Sequence, residues 1–181
     1  DIETANSIVN EFDDISCVII KHSNPCGFSL GQTLKQAYLS AVSTDPISYF
    51  GGIVAFNREI DLESALELNK SFLECIVAPS FSNEAFEELK KKKNLRLITI
   101  SSSSKNKKII RSVFNGFLKQ DRDIMEENFN EFQVVSKIKP NNDQLKALHL
   151  SWKLVKYVKS NAIVFSDDNQ LIGVGAGQMS R

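Results

Sequence analysis

An α/β fold with parallel strand–helix–strand units is predicted by three observations. Short, wholly apolar runs have the length of buried strands, single amphipathic segments separate them, and turn-forming residues punctuate the junctions. Cys17-Val18-Ile19-Ile20 is the first such run. Pro25 behind it fixes its own φ and drives Asn24 toward extended geometry, so Asn24-Pro25-Cys26-Gly27 is expected to be a stiff loop. Leu34, Ala37, Tyr38 and Ala41 then recur at helical spacing, and the helix should end before Asp45-Pro46. Ile53-Val54-Ala55-Phe56, behind Gly51-Gly52, reads as the next strand. Asp61 suits the N-cap of a helix with Leu62, Ala65, Leu66 and Leu73 on one face. Cys75-Ile76-Val77-Ala78 is another buried strand, stopped by Pro79. A helix with Phe86 and Leu89 follows, capped by Asn83, and Leu95 to Ile100 alternates like a strand.

Ser101 to Lys108 is a polar break that reads as a linker or surface loop. Beyond it, Ile109 to Leu118 is expected to be strand-rich. Leu145, Leu148, Trp152 and Val155 line one face of a further helix, with Lys146, His149, Lys153 and Lys156 as a basic stripe opposite. A last hairpin pairs Ala162–Phe165 with Leu171–Val174 through Asp167-Asp168-Asn169.

The bulk properties exclude several classes of function. With 181 residues, 42% of them hydrophobic, the chain is long enough for a real core. Its 22 Lys plus Arg balance 22 Asp plus Glu, so no net field recruits nucleic acid or an anionic membrane. The three cysteines, Cys17, Cys26 and Cys75, form no CxxC pair, which favours a reduced, cytoplasmic setting. No apolar stretch approaches the ~18 residues of a membrane span. The start Asp1-Ile2-Glu3 is unlike a signal peptide, and with no initiating Met and a stop inside a glycine-rich turn the sequence reads as a fragment.

Lys21-His22 sits at the carboxyl end of the first strand, where open α/β sheets hold their chemistry. A Lys-His pair taken alone more often caps a strand in solvent. Phe50-Gly51 precedes a strand, where a glycine permits close approach and an aromatic ring can stack on a flat heterocycle. Asn161 offers a donor and an acceptor, and Arg181 a fork-shaped cation suited to phosphate or carboxylate. Gly173, Gly175 and Gly177 are spaced GxGxG, which does not match the GxGxxG dinucleotide fingerprint.

Three long motifs, in order, carry a resemblance: Lys21-His22-Ser23-Asn24-Pro25-Cys26-Gly27, then Asp45 through Arg58, then Lys159 through Arg181. With Ile76-Val77-Ala78-Pro79 and Gln120-Asp121-Arg122-Asp123, the chain resembles the AICAR transformylase domain of bifunctional purine biosynthesis proteins along nearly its whole length. The likeness is looser at Asn115–Gln120 and Leu148–Trp152. It implies a pair of cytidine-deaminase-like, three-layer α/β/α units: a first at 1–110 and a truncated second at 111–181, with an approximate boundary near Ile110. It also implies formyl transfer from 10-formyltetrahydrofolate to the amino group of AICAR, beside an IMP cyclohydrolase activity in the full-length protein. Lys21 and His22 are then catalytic, and Asn24, Phe50, Gly51, Glu74, Asn161 and Arg181 bind substrate. A homodimer with shared active sites is implied, Asn161 and Arg181 reaching the partner's site. No catalytic metal is implied, although the family allows a structural monovalent cation.

The chemistry suits those residues. An aminoimidazole carboxamide amine is a poor nucleophile, so formyl transfer needs a base for its proton and a cation for the oxyanion or the departing folate nitrogen. His22 suits the first role, since an imidazole in its unperturbed state changes charge near neutrality, and Lys21 fits the second. Cys26 lacks a base partner and reads as a small packing residue. Zinc deaminase chemistry wants H-x-E with P-C-x-x-C, whereas His22 is followed by Ser23-Asn24 and Cys26 by Gly27-Phe28-Ser29. The competing reading is a nucleotide-binding or assembly piece that does not catalyse because its C-terminal part is missing.

Overall fold

The computed structural model describes residues 1–100, 108–124 and 128–180. Contacts divide the chain into one unit of Asp1–Ser102 with Pro140–Arg181 and another of Ser103–Lys139, a division different from a boundary near Ile110. Most of the Ser101–Lys108 break lies outside the described residues.

The larger unit contains α1 (Ile2–Val9), β1 (Ser16–Lys21), β2 (Asn24–Leu30), α2 (Leu34–Thr44), β3 (Ile53–Phe56), α3 (Leu62–Leu68), β4 (Cys75–Ala78), α4 (Asn83–Leu89) and β5 (Arg96–Thr99). Its sheet runs β2-β1-β3-β4-β5. The period-two alternation of a strand sends neighbouring side chains to opposite faces. Cys17, Ile19, Val54, Phe56, Ile76 and Ala78 therefore meet residues of α2, α3 and α4. Val18, Ile20, Ala55, Cys75 and Val77 meet α1 and a later helix. The result is a three-layer α/β/α arrangement, as the resemblance implies.

Two features depart from expectation. Only β3, β4 and β5 are parallel, because β1 pairs antiparallel with both β2 and β3. The second is that the segment expected to be a loop is β2. Pro25 is tolerated there because β2 ends the five-stranded sheet, and a proline needs no ladder partner at such a position. A register shift after Ile19 pairs Ile19 with Gly27 and Ile20 with Pro25. Gly27 answers to packing, since a Cβ there would lie 2.1 Å from the Ala41 carbonyl oxygen of α2.

Helix starts follow local capping. Asp61 accepts from the Ser64 N–H at 2.7 Å, as expected, but α4 is capped by Ser82 and not Asn83. The buried faces are narrower than apolar content suggests: Ala65 and Leu68 are inside while Leu62 and Leu66 are exposed, and Leu73 is buried beyond the end of α3. On α4, Leu89 is buried and Phe86 is exposed.

α5 (Asn142–Val155), β8 (Ile163–Ser166) and β9 (Leu171–Gly175) belong to the same unit. The α5 face that enters the core is Leu150 and Leu154, continued by Val158, whereas Leu148 and Trp152 are exposed. Part of the basic stripe is spent on Glu11, just past the end of α1: Lys153 donates to the Glu11 carbonyl at 2.8 Å, and Lys156 pairs with the Glu11 carboxylate at 2.6 Å. The β8–β9 hairpin forms as expected and reaches the free side of β2, where the Leu30 N–H donates to the Asn169 carbonyl at 2.8 Å.

Among its described residues the smaller unit holds β6 (Lys108–Val113), β7 (Gly116–Asp121) and a 3-10 turn at Phe129–Glu131. β6 and β7 form an antiparallel ribbon, and every residue of β7 is exposed. Among the described residues no helix is long and apolar enough to cross a membrane.

Candidate functional site

The antiparallel course of β1 decides where the site lies. Its carboxyl end abuts the amino end of β3, with Ile20 opposite Ile53, so Lys21 emerges beside the turn before β3. Glu74 immediately precedes β4, and Arg96 begins β5 opposite Cys75. The side chains thus gather at the amino ends of the parallel strands. The expectation drawn from open parallel sheets, a site at their carboxyl ends, is corrected by the reversed first strand.

Lys21, His22, Gly51 and Glu74 line one cleft of about 370 Å³, together with Ile2 and Arg96. A neighbouring hollow of about 430 Å³ shares Glu74 and Arg96 and adds Phe72 and Lys93. Lys21 Nζ donates to the Phe50 carbonyl at 2.7 Å, which draws the ammonium across to the turn before β3. Gly51 has φ +68°, and its N–H donates to the Phe72 carbonyl at 2.9 Å. A side chain there would be strained by that backbone and would also meet the Phe72 ring, 3.3 Å from its Cβ. The Phe50 ring is exposed and tilts against Phe72 at 5.1 Å between centroids. It stands beside the cleft-lining residues and not among them.

The Glu74 carboxylate accepts from Arg96 Nη1 at 2.8 Å. Carboxylate and guanidinium therefore face the cleft as a pair, with Lys21 and His22 on the β1 side. His22 and Ser23 are the two residues of the β1–β2 turn, and both have positive φ, at 51° and 63°. Two consecutive positive values are what a two-residue hairpin turn of the primed type demands.

The remaining expected residues behave differently. Asn24 spends both ends of its amide on the protein, donating to the His22 carbonyl at 3.2 Å and accepting from the Lys159 N–H at 3.0 Å. Asn161 donates to the Gln178 carbonyl at 3.0 Å and does not line the cleft. Arg181 lies outside the described residues. Burial and the nearby Asp45 carboxylate push the Cys26 thiol up to about 11, against a weaker opposing pull from Lys21. Its Sγ points to the Ile19 carbonyl at 3.6 Å, so it packs as a neutral thiol. Among the described residues no group of three His, Cys, Asp or Glu could hold a metal.

Arg96 and Lys159 escaped the sequence reading. The cross-strand register that puts Arg96 level with Cys75 leaves no local mark, and Lys159 touches Asn24 across 135 positions.

Comparison with known proteins places this geometry in context. The family model described as AICARFT/IMPCHase bienzyme matches residues 1–181. Similar curated proteins include three called bifunctional purine biosynthesis protein PurH: from Limosilactobacillus reuteri (strain DSM 20016) at 44% identity, Halalkalibacterium halodurans at 47% and Bacillus cereus (strain AH187) at 48%. Each match covers 100% of this chain and 36% of the relative, so the chain spans about a third of their length. Among solved structures, the dCMP deaminase of cyanophage S-TIM5 in apo form aligns with a TM-score of 0.43 at 8% identity, over 55% of this chain and 93% of that one. Acinetobacter baumannii RibD, form 2, aligns at 0.39 and 16% identity, over 46% and 28%.

Proposed function

Because this chain belongs to the AICARFT/IMPCHase bienzyme family, we propose that it forms part of a formyl-transfer site: that of a phosphoribosylaminoimidazolecarboxamide formyltransferase acting in purine (IMP) biosynthesis. The observation that carries this reading is the convergence of Lys21, His22, Gly51 and Glu74 on one cleft. The proposed substrates are the AICAR nucleotide and 10-formyltetrahydrofolate.

In the proposed step the nucleotide's amine nitrogen bonds to the formyl carbon as His22 takes the amine proton. Lys21, the cation next to it in the sequence, would steady the oxyanion of the tetrahedral intermediate. Collapse breaks the bond from the formyl carbon to the folate nitrogen, which leaves with a proton. Glu74, an acceptor held by Arg96, suits ribose hydroxyls or the carboxamide N–H. The flat heterocycle would lie against the backbone of Gly51, with Phe50 beside it. Asn161 and Arg181 are proposed to complete a partner subunit's site in a cytoplasmic homodimer.

The test uses the full-length protein with both substrates, following formylated nucleotide and tetrahydrofolate in equal amounts while the cyclohydrolase step is assayed separately. Stoichiometric appearance of the two products supports the reading. Nucleotide binding without any transfer would support instead a binding or assembly role for this stretch.

A further inference from the structure

The His22–Ser23 turn holds two side-chain-bearing residues in a backbone region that favours glycine, with φ values of 51° and 63°. Two such residues in succession carry a conformational cost that contacts around the turn can offset. Ser23 Oγ donates to the Asp1 carboxylate at 2.8 Å, which holds one side. The other side is held at the His22 carbonyl, which accepts from Asn24 Nδ2 at 3.2 Å and from Lys159 Nζ at 3.4 Å. Lys159 is itself located by Asn24, because its backbone N–H donates to Asn24 Oδ1 at 3.0 Å. One amide thus serves as donor to the turn and as acceptor from a distant segment.

We propose that Asn24 and Lys159 form a clamp on the His22 carbonyl that holds His22 at the cleft, and that both are positioning residues for formyl transfer and not ligands of the nucleotide. This rests on the reading of His22 as the base. The clamp uses every polar atom of the Asn24 side chain in protein contacts, which leaves its amide poorly suited to recognising a substrate. The Lys159 bond is charge-assisted, so an arginine can replace it in part and an apolar chain of similar length cannot. Lys159 also stands two residues before Asn161, so the clamp ties the base to a segment proposed to contact nucleotide in a partner subunit.

The experiment compares Asn24→Ala, Lys159→Met and Lys159→Arg in the full-length protein. Asn24→Ala should lower kcat by about tenfold to a hundredfold while the nucleotide KM stays within about threefold, the pattern of a misplaced group whose substrate contacts are intact. Lys159→Met should lose less, and Lys159→Arg should recover part of that loss. A rise in nucleotide KM with kcat preserved would overturn the proposal and make Asn24 a binding residue. Backbone amide exchange at Lys159, whose N–H donates to Asn24 Oδ1, reads the clamp without any turnover: it should quicken in Asn24→Ala, and unchanged exchange there overturns the clamp. Wild-type protein that transfers no formyl group counts against the functional reading alone, since the exchange result stands apart from it.

Discussion

Two hairpins of this chain share a plan and differ in almost everything that surrounds it. The β1–β2 hairpin pairs Lys21 with Asn24 across His22 and Ser23, and the β6–β7 hairpin pairs Val113 with Gly116 across Phe114 and Asn115. Each has a residue other than glycine at positive φ in its two-residue turn. In the first, β1 is a buried strand inside a five-stranded sheet, and the turn is fixed by Asp1, Asn24 and Lys159. In the second, the sheet has only two strands, β7 is exposed throughout and Phe114 is fully exposed. Turn geometry alone therefore does not make a site. A strained turn becomes useful where neighbouring side chains hold it against a cleft.

The largest effect should come from substituting the two turns. His22→Ala in the full-length protein should lower formyl transfer by about a hundredfold or more while nucleotide binding stays within a few fold, because a general base, the role proposed for His22, contributes on that scale. Phe114→Ala should leave turnover untouched. Comparable losses from both variants in a steady-state assay would erase the contrast between the hairpins.

Next in size is packing. Ile19 is fully buried, so Ile19→Ala should cost about 2–5 kcal/mol, whereas Ile110 is 63% exposed and Ile110→Ala should fall within about 0.5 kcal/mol. Denaturant midpoints measure both. Equal shifts would mean that β6 is buried by something the two-stranded ribbon does not contain.

The same contrast explains what could be read from the sequence. β3 and β4 were legible because Ile53–Phe56 and Cys75–Ala78 are apolar runs that only a covered strand needs. β2 was not, since Asn24, Pro25 and Gly27 signal a turn locally and become a strand only through pairing with β1. α5 misled for a related reason: Leu148 and Trp152 are as apolar as Leu150 and Leu154, and tertiary contact selects which pair is covered. At the site, Lys21, His22, Gly51 and Glu74 could be named from motif resemblance, and the cleft brings them together. Arg96 and Lys159 required the register of β5 and a long-range hydrogen bond, which no local pattern encodes.

A smaller effect concerns Cys26, in the first hairpin only. Its folded-state value is raised from 9.0 to about 11, chiefly by burial. Between those values the unfolded chain has released a proton that the folded chain still holds. The contribution to stability is therefore complete below pH 9 and falls as pH rises toward 11. Cys17 and Cys75 are shifted in the same direction, so Cys26→Ala should make the alkaline loss shallower without abolishing it. Unfolding midpoints taken across that window check this, and an unchanged slope in Cys26→Ala would show that the thiol ionises alike in both states.

The smallest effect separates strain from function. Phe114 at φ 48° is fully exposed, so among the described residues nothing offsets the conformational cost of placing a bulky residue there, roughly 1–2 kcal/mol. Glycine removes that cost but gives back about 0.5–1 kcal/mol through the greater freedom of the unfolded chain. Phe114→Gly should therefore stabilise the ribbon by up to about 1 kcal/mol and slow amide exchange in β6 and β7. Ser23→Gly relieves the same kind of backbone but loses the hydroxyl bond to Asp1, worth about 0.5–1.5 kcal/mol, so its net effect on stability should be near zero. The pair tests whether the first turn is held by its side chains. If Ser23→Gly gives the larger gain in stability, the Asp1 contact contributes nothing and the two turns are strained alike.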